Sequence, residues 1–223
     1  MRRVAVFGGT FDPVHFGHLT PVRRAMEVFR FDAVVFVPAG RPPHKLEEPM
    51  TAFAHRFAML ALATQPYDRF LVSDLESGRK GPTYTVDTLR RLNAQLSGEE
   101  LYFLMGSDSF VQIRSWHRWR ELPKLARLVV LHRPTVGEEE LKAAAPAGLR
   151  PRLRRATPQV GSTGRNEPVD AIFLLDNEPV PISATILRSK LRRGEGVEGL
   201  VPDEVIRYIR KHRLYQDATL DGS

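Results

Sequence analysis

The sequence predicts an α/β protein built on a doubly wound, mostly parallel sheet with helices at its C-terminal end. Three observations carry that expectation. Six short apolar runs, at residues 4–7, 34–37, 70–75, 101–105, 128–131 and 171–175, are rich in β-branched and aromatic residues. They are continuous rather than alternating, as strands buried on both faces should be. Between them lie helix-like segments at 18–29, 53–64, 86–96 and 138–145, the alternation that produces parallel sheets. The composition is ordinary for a folded domain, with 42% hydrophobic and 26% charged residues, and 223 residues suffice to bury a real core.

The first run leads into GGTFDPVHFGHL, residues 8–19. Glycines lack Cβ, so the chain is expected to turn at Gly8 and Gly9 and to let a phosphate approach its N–H groups. A helix starting near Phe16 or Gly17 aims its positive end at the same place. His18 then falls in the first turn and His15 just before it, two imidazoles able to donate to phosphate oxygens. The second run, in AVVFVPAG, leads to PPHK, where Pro42 and Pro43 stiffen the chain and His44 and Lys45 offer a donor and a charge. The third precedes GPTYTVDTL, and the fourth, LYFLM, opens into GSDSF and then SWHRW. Residues 146–168 are rich in Pro, Gly and Arg and read as a long irregular surface loop within one domain spanning 1–223. Helices over 184–193 and 203–212 close the chain, with Pro202 where the second begins.

Charge and composition limit the function classes. There are no cysteines, hence no disulfides or thiolate metal sites. No apolar stretch approaches the roughly 18 residues a membrane span needs, and residues 2–7 are too short for a signal-peptide core. A cytoplasmic location follows as the expectation. The 33 Lys and Arg against 26 Asp and Glu leave a charge of +7, suited to nucleic acid or to a small phosphorylated substrate. The basic stretch RPRLRRA, residues 150–156, comes with no groove-reading helix and no stacking aromatic pair, which argues against nucleic acid. No Walker-type loop occurs, and GEGVEG, residues 194–199, follows a basic helix instead of a strand, so it reads as a helix-capping turn rather than a dinucleotide fingerprint. No carboxylate or histidine cluster has the spacing of a metal cage.

GGTFDPVHFGHL resembles the N-terminal signature of nucleotidyltransferases whose H-x-G-H motif binds ATP phosphates. The late ISATILR, residues 182–188, resembles the second half of that signature, with Ala184 where the family often has a second serine. PAGRPPHK, GPTYTVDTL, MGSDSF, SWHRW and LVPDEVIRYIRKHRLY resemble the bacterial nicotinate-nucleotide adenylyltransferase family in particular. The resemblance covers all of the chain except residues 135–170. It implies a Rossmann-like nucleotidyltransferase fold and adenylyl transfer from ATP to nicotinate mononucleotide in NAD biosynthesis, with nicotinamide mononucleotide or another small phosphate ester as the alternative acceptor. Class I aminoacyl-tRNA synthetases share the H-x-G-H logic, but no K-M-S-K-S motif is present.

The resemblance also implies roles. Gly8, Gly9 and Thr10 line the phosphate turn between the substrates. His15, His18 and Arg188 act on the ATP phosphates as the catalytic set. Ile182, Ser183 and Thr185 bind ATP at a helix N-terminus, while Gly106 and Asp108 face its ribose; helix capping is the rival role for Asp108. Thr10, His44, Lys45, Thr85, Trp116 and His117 hold the mononucleotide, and Trp119 packs in the core. Mg²⁺ is the implied cofactor, held through ATP phosphates and water.

Overall fold

In β1 (Arg3–Gly9) successive side chains point to opposite faces, and both faces are apolar. Ala5 and Phe7 join one buried cluster while Val4 and Val6 join another, as a strand covered by helices on both sides requires. The computed structural model, which describes residues 1–43, 49–132, 136–148, 150–156, 171–178 and 180–216, repeats the pattern in β2 (Ala33–Pro38), β4 (Glu100–Gly106), β5 (Arg127–His132) and β7 (Ile172–Asp176). Two short strands, β3 (Phe70–Val72) and β6 (Leu153–Arg155), form the edges. The order is β3-β2-β1-β4-β5-β7-β6, and each neighbouring pair is parallel.

Helices cover both faces. Leu19, Val22 and Met26 of α1 (Phe16–Phe29), Met59 and Leu60 of α2 (Phe53–Thr64), Leu187 of α7 (Ala184–Arg192) and Val205, Ile206 and Ile209 of α8 (Asp203–Lys211) build the first cluster. The second takes Val86, Leu89 and Leu92 of α3 (Thr85–Gln95), with Phe110, Leu122 and Leu141 from the short α4 (Ser107–Val111), α5 (Leu122–Leu125) and α6 (Glu138–Ala144). Among the described residues no helix is long and apolar enough to cross a membrane.

The doubly wound expectation holds, with two corrections. Seven strands form the sheet rather than six, because β6 lies inside the stretch expected to be an irregular loop. It pairs with Ile172–Leu174 of β7, yet only Leu153 packs on the core while Arg154 and Arg155 are exposed, so it carries no apolar run. Residues 149 and 157–168 of that stretch lie outside the described residues. The third strand stops at Val72 instead of residue 75, where Ser73 and Asp74 follow. GEGVEG is the expected capping turn, with Gly194 at φ +70 after α7. Pro202 is the N-cap of α8, whose first turn holds Asp203 and Glu204 and whose last holds Arg210 and Lys211, matching the helix dipole.

The order reverses at β1. The chain proceeds from β1 to β2 on one side and returns to β4 on the other, opening a crevice at the carboxyl ends of β1 and β4.

Candidate active site

At that crevice β1 runs straight through Gly8 and Gly9, which pair with Val37 and Pro38. The turn expected at the glycines falls instead at Phe11, with φ 50, and at the cis Asp12–Pro13 bond. The glycines serve other ends. A Cβ on Gly9 would lie 2.9 Å from the Phe11 ring, whereas one on Gly8 would have its nearest neighbour at 4.0 Å, on Phe103. Gly8 is exposed and bare at the mouth of the crevice.

His15 is the N-cap of α1 and His18 its third residue. The His18 N–H donates to the His15 carbonyl at 2.8 Å, and the His15 N–H donates to His18 Nδ1 at 3.3 Å. Because Nδ1 accepts, the neutral His18 ring carries its proton on Nε2. The two rings face each other at a tilt of 33° with centroids 3.7 Å apart, and the Phe11 ring meets His18 edge-on at 5.1 Å. His15 is buried and His18 half-buried. Gly17 makes this pairing possible, since a Cβ there would lie 2.8 Å from His15 Nδ1.

The late motif meets this loop. Ser183 is the N-cap of α7, its hydroxyl accepting the Ile186 N–H at 3.2 Å; Thr185 is exposed on the first turn, and Ile182 is buried just before it. Arg188 Nη1 donates to the Asp12 carbonyl at 2.8 Å and Nη2 to Thr185 Oγ1 at 3.4 Å. Residues at opposite ends of the sequence therefore share one wall.

Beneath them lies a network that the sequence reading passed over. Arg56 is fully buried; its Nη1 donates to the Thr10 carbonyl at 2.8 Å and its Nε to the Thr51 carbonyl at 2.9 Å. Burial pulls its guanidinium below the ordinary arginine value, while the Asp12 carboxylate pulls the other way. Asp12 in turn accepts the Thr51 N–H at 3.2 Å and the Tyr215 hydroxyl at 2.6 Å. Asp12 and Tyr215 stand in quoted motifs and could have been singled out. Arg56, in FAHRFAML, reads as any polar helix position.

Across the crevice, Gly106 caps α4 and Asp108 sits exposed in its first turn; no side chain caps this helix. A Cβ at Gly106 would run into the Asp108 carboxylate, so this glycine makes room for Asp108 itself and not merely for a ligand. Thr85 is the first residue of α3, among the N–H groups that a helix leaves without intrahelical partners. The Tyr84 ring before it lies against His117 at 4.2 Å, tilted by 31°, bringing GPTYT and SWHRW together. Trp116 is half-buried, tilted edgewise to Phe103 at 6.3 Å. Trp119 is also half-buried, packed on the second cluster with the Arg120 guanidinium over its ring at 4.6 Å.

Buried Glu76, another residue missed in the sequence, fastens the entrance of the proline loop. It accepts the Gly40 N–H at 3.0 Å and the Thr88 hydroxyl at 2.5 Å, and the Thr83 N–H donates to the Arg41 carbonyl at 2.9 Å. The chain entering PPHK is thereby tied to α3; His44 and Lys45 themselves lie outside the described residues. Among the described residues no group of three or more His, Asp or Glu could hold a metal ion.

Residues 6–190 match the model of the cytidylyltransferase-like family. A Chromobacterium violaceum protein named "Probable nicotinate-nucleotide adenylyltransferase" is 41% identical over 217 residues, covering 96% of this chain and 99% of the relative. A Geobacter sulfurreducens protein of the same name is 36% identical over 219 residues, covering 96% and 98%. Among solved structures, the Plasmodium falciparum nicotinic acid mononucleotide adenylyltransferase complexed with NaAD superposes with a TM-score of 0.74, covering 96% of this chain and 98% of that one at 19% identity.

Proposed function

This chain belongs to the nicotinate-nucleotide adenylyltransferases, and from that premise we propose how its residues move an adenylyl group from ATP to nicotinate mononucleotide, giving nicotinate adenine dinucleotide and pyrophosphate. The observation that carries the assignment of roles is the Arg188–Asp12 hydrogen bond of 2.8 Å. It sets α7 against the start of α1, so that two helix N-termini, the paired imidazoles and a guanidinium surround one end of the crevice, a combination suited to a triphosphate.

A phosphate oxygen of the mononucleotide attacks the α-phosphorus of ATP, and the bond to the β-phosphate oxygen breaks, its electron pair leaving with pyrophosphate. That oxygen is already ionised near neutral pH, so no general base is required; position and charge neutralisation are. His18 Nε2–H donates to the phosphate at the reacting centre, with His15 behind it. Arg188 takes the β- and γ-phosphates, Ser183 and Thr185 add hydroxyls, and Ile182 packs beside them. Gly8, Gly9 and Thr10 line the passage between the substrates, and Gly106 with Asp108 faces the ribose. Mg²⁺ bound with the triphosphate would be held by phosphate oxygens and water and would supply further neutralisation. The contribution of both sequence ends to one wall supports a single catalytic domain.

On the mononucleotide side, main-chain N–H groups around Thr85 and His117 clamp the carboxylate while Trp116 stacks on the pyridine ring, and His44 and Lys45 take the phosphate. An amide in place of that carboxylate would meet those donors with another donor, at a cost of roughly 10²-fold or more. Arg118, the rival carboxylate partner, is held by Glu121 at 2.7 Å, which favours the clamp. Pyrophosphate release with ATP, Mg²⁺ and each mononucleotide in turn tests the assignment. Preference for the nicotinate form is the expected result, and equal efficiency on both forms removes the clamp.

A further inference from the structure

The established reaction draws on the two signature motifs, but the chain beyond α8 also reaches the site. Residues 213–216 reverse direction, with Arg213 at φ 50 and Tyr215 at φ 63, both left-handed conformations that non-glycine residues seldom adopt. The Leu214 N–H bonds back to the Ile209 carbonyl at 3.0 Å, closing the end of the helix. This unfavourable backbone brings the Tyr215 hydroxyl to the active-site wall, where it donates to Asp12 Oδ1 at 2.6 Å and also meets the Thr51 side chain.

Asp12 connects two functions. Its carboxylate is held by Tyr215 on one oxygen and by the Thr51 N–H on the other. Its carbonyl is the partner of Arg188. Asp12 is buried at 4% exposure, so its position depends on these few bonds and not on solvent. We propose that Tyr215 is a positioning residue for ATP, which fixes Asp12 from the C-terminal segment and through the Asp12 carbonyl sets where the Arg188 guanidinium lies. The proposal rests on the assignment of Arg188 to the ATP phosphates. Burial, with the Asp12 carboxylate adding to it, pushes the Tyr215 phenol well above its ordinary value. It stays protonated and keeps donating throughout the range in which the enzyme works. The remaining contacts of α8 lie elsewhere: His55 Nδ1 and the Tyr208 hydroxyl meet at 2.9 Å, and Val205, Ile206 and Ile209 are in the core. Removal of the Tyr215 hydroxyl therefore leaves the docking of the helix intact.

Tyr215→Phe removes that hydroxyl and keeps the ring. Steady-state kinetics of the full chain should show KM for ATP raised about tenfold, the scale of one charge-assisted hydrogen bond, with KM for the mononucleotide within twofold and the melting temperature little changed. Calorimetric titration of ATP into the variant should show the same loss. In a double-mutant cycle with Arg188→Lys the two effects should not add, because both act on one guanidinium. Additive effects, equal rises in both KM values, or a lower melting temperature with unchanged KM for ATP would each overturn the proposal while leaving the role of Arg188 standing. If Arg188→Lys alone leaves the ATP dependence unchanged, the assignment of Arg188 fails and this proposal falls with it.

Discussion

Gly9→Ala tests whether His18, the histidine assigned to the reacting phosphate, is held in place by packing. The added methyl would sit 2.9 Å from the Phe11 ring, so the ring must retreat by about 0.5 Å to reach the ordinary 3.4 Å contact. It has nowhere to go. Phe11 is 1% exposed and packed among Phe7 at 5.7 Å, Phe36 at 6.0 Å and His18 at 5.1 Å. Overpacking of this kind costs about 1–3 kcal/mol, and a chain of this size loses about 2–4 °C of melting temperature per kcal/mol. A fall of about 2–12 °C in a thermal melt is therefore expected. The ring that moves is the one under His18, and since a 1 Å misplacement can cost about 10²-fold, half of that should lower kcat about tenfold. Gly8→Ala is the control: its methyl meets nothing closer than 4.0 Å, so the melt should be unchanged, although the methyl enters the passage assigned to substrate. A Gly9→Ala enzyme with wild-type melting and wild-type kcat would refute the argument that Phe11 transmits the strain.

His18→Ala should lower kcat in a pyrophosphate-release assay by about two to four orders of magnitude, a loss of about 3–5 kcal/mol in transition-state stabilisation, with folding retained because the ring is only half-buried. Trp116→Ala should raise KM for the mononucleotide strongly and leave KM for ATP nearly unchanged, whereas Trp119→Ala should lower the melting temperature first, since its ring packs on the core under Arg120. Arg56→Met should cost about 3–5 kcal/mol in denaturant unfolding, because it takes away the donor of two main-chain carbonyls and leaves the buried Asp12 carboxylate without its nearby cation; unchanged stability would show that Asp12 does not depend on it.

Much of the fold could be read from the sequence because strands buried on both faces leave uninterrupted apolar runs. Residues 4–7, 34–37, 101–105 and 128–131 fall within strands, as do 172–175 of the last run. β6 escaped because an edge strand that buries only Leu153 has no such run. The short α4 and α5 escaped because five and four residues are too few to show a helical period. In the site, His15, His18 and Ser183 stand at the helix starts where the sequence places them. The glycines misled that reading. Gly8 and Gly9 look like a turn, but they continue the strand, and what fixes Gly9 is the ring two residues on.

The arginine contacts that were missed share a physical cause. Arg56 donates to the carbonyls of Thr10 and Thr51, and Arg188 donates to the carbonyl of Asp12. Every residue carries a carbonyl, so a side chain that bonds one leaves no residue-type signature at its partner, and no spacing rule connects the two. The carbonyls of Thr10 and Asp12 are exposed to these arginines because the chain between β1 and α1 is irregular and makes no ladder of its own, and a buried carbonyl without a partner is costly. The loop to which the phosphate-binding groups are assigned must therefore be satisfied from behind by cations. Arg188 can serve both sides, since each of its terminal nitrogens bears two N–H donors and only one bond from Nη1 is committed to Asp12. The same guanidinium that completes the loop can then meet the triphosphate without breaking the contact that positions it, which is why arginine rather than lysine suits this place in the helix.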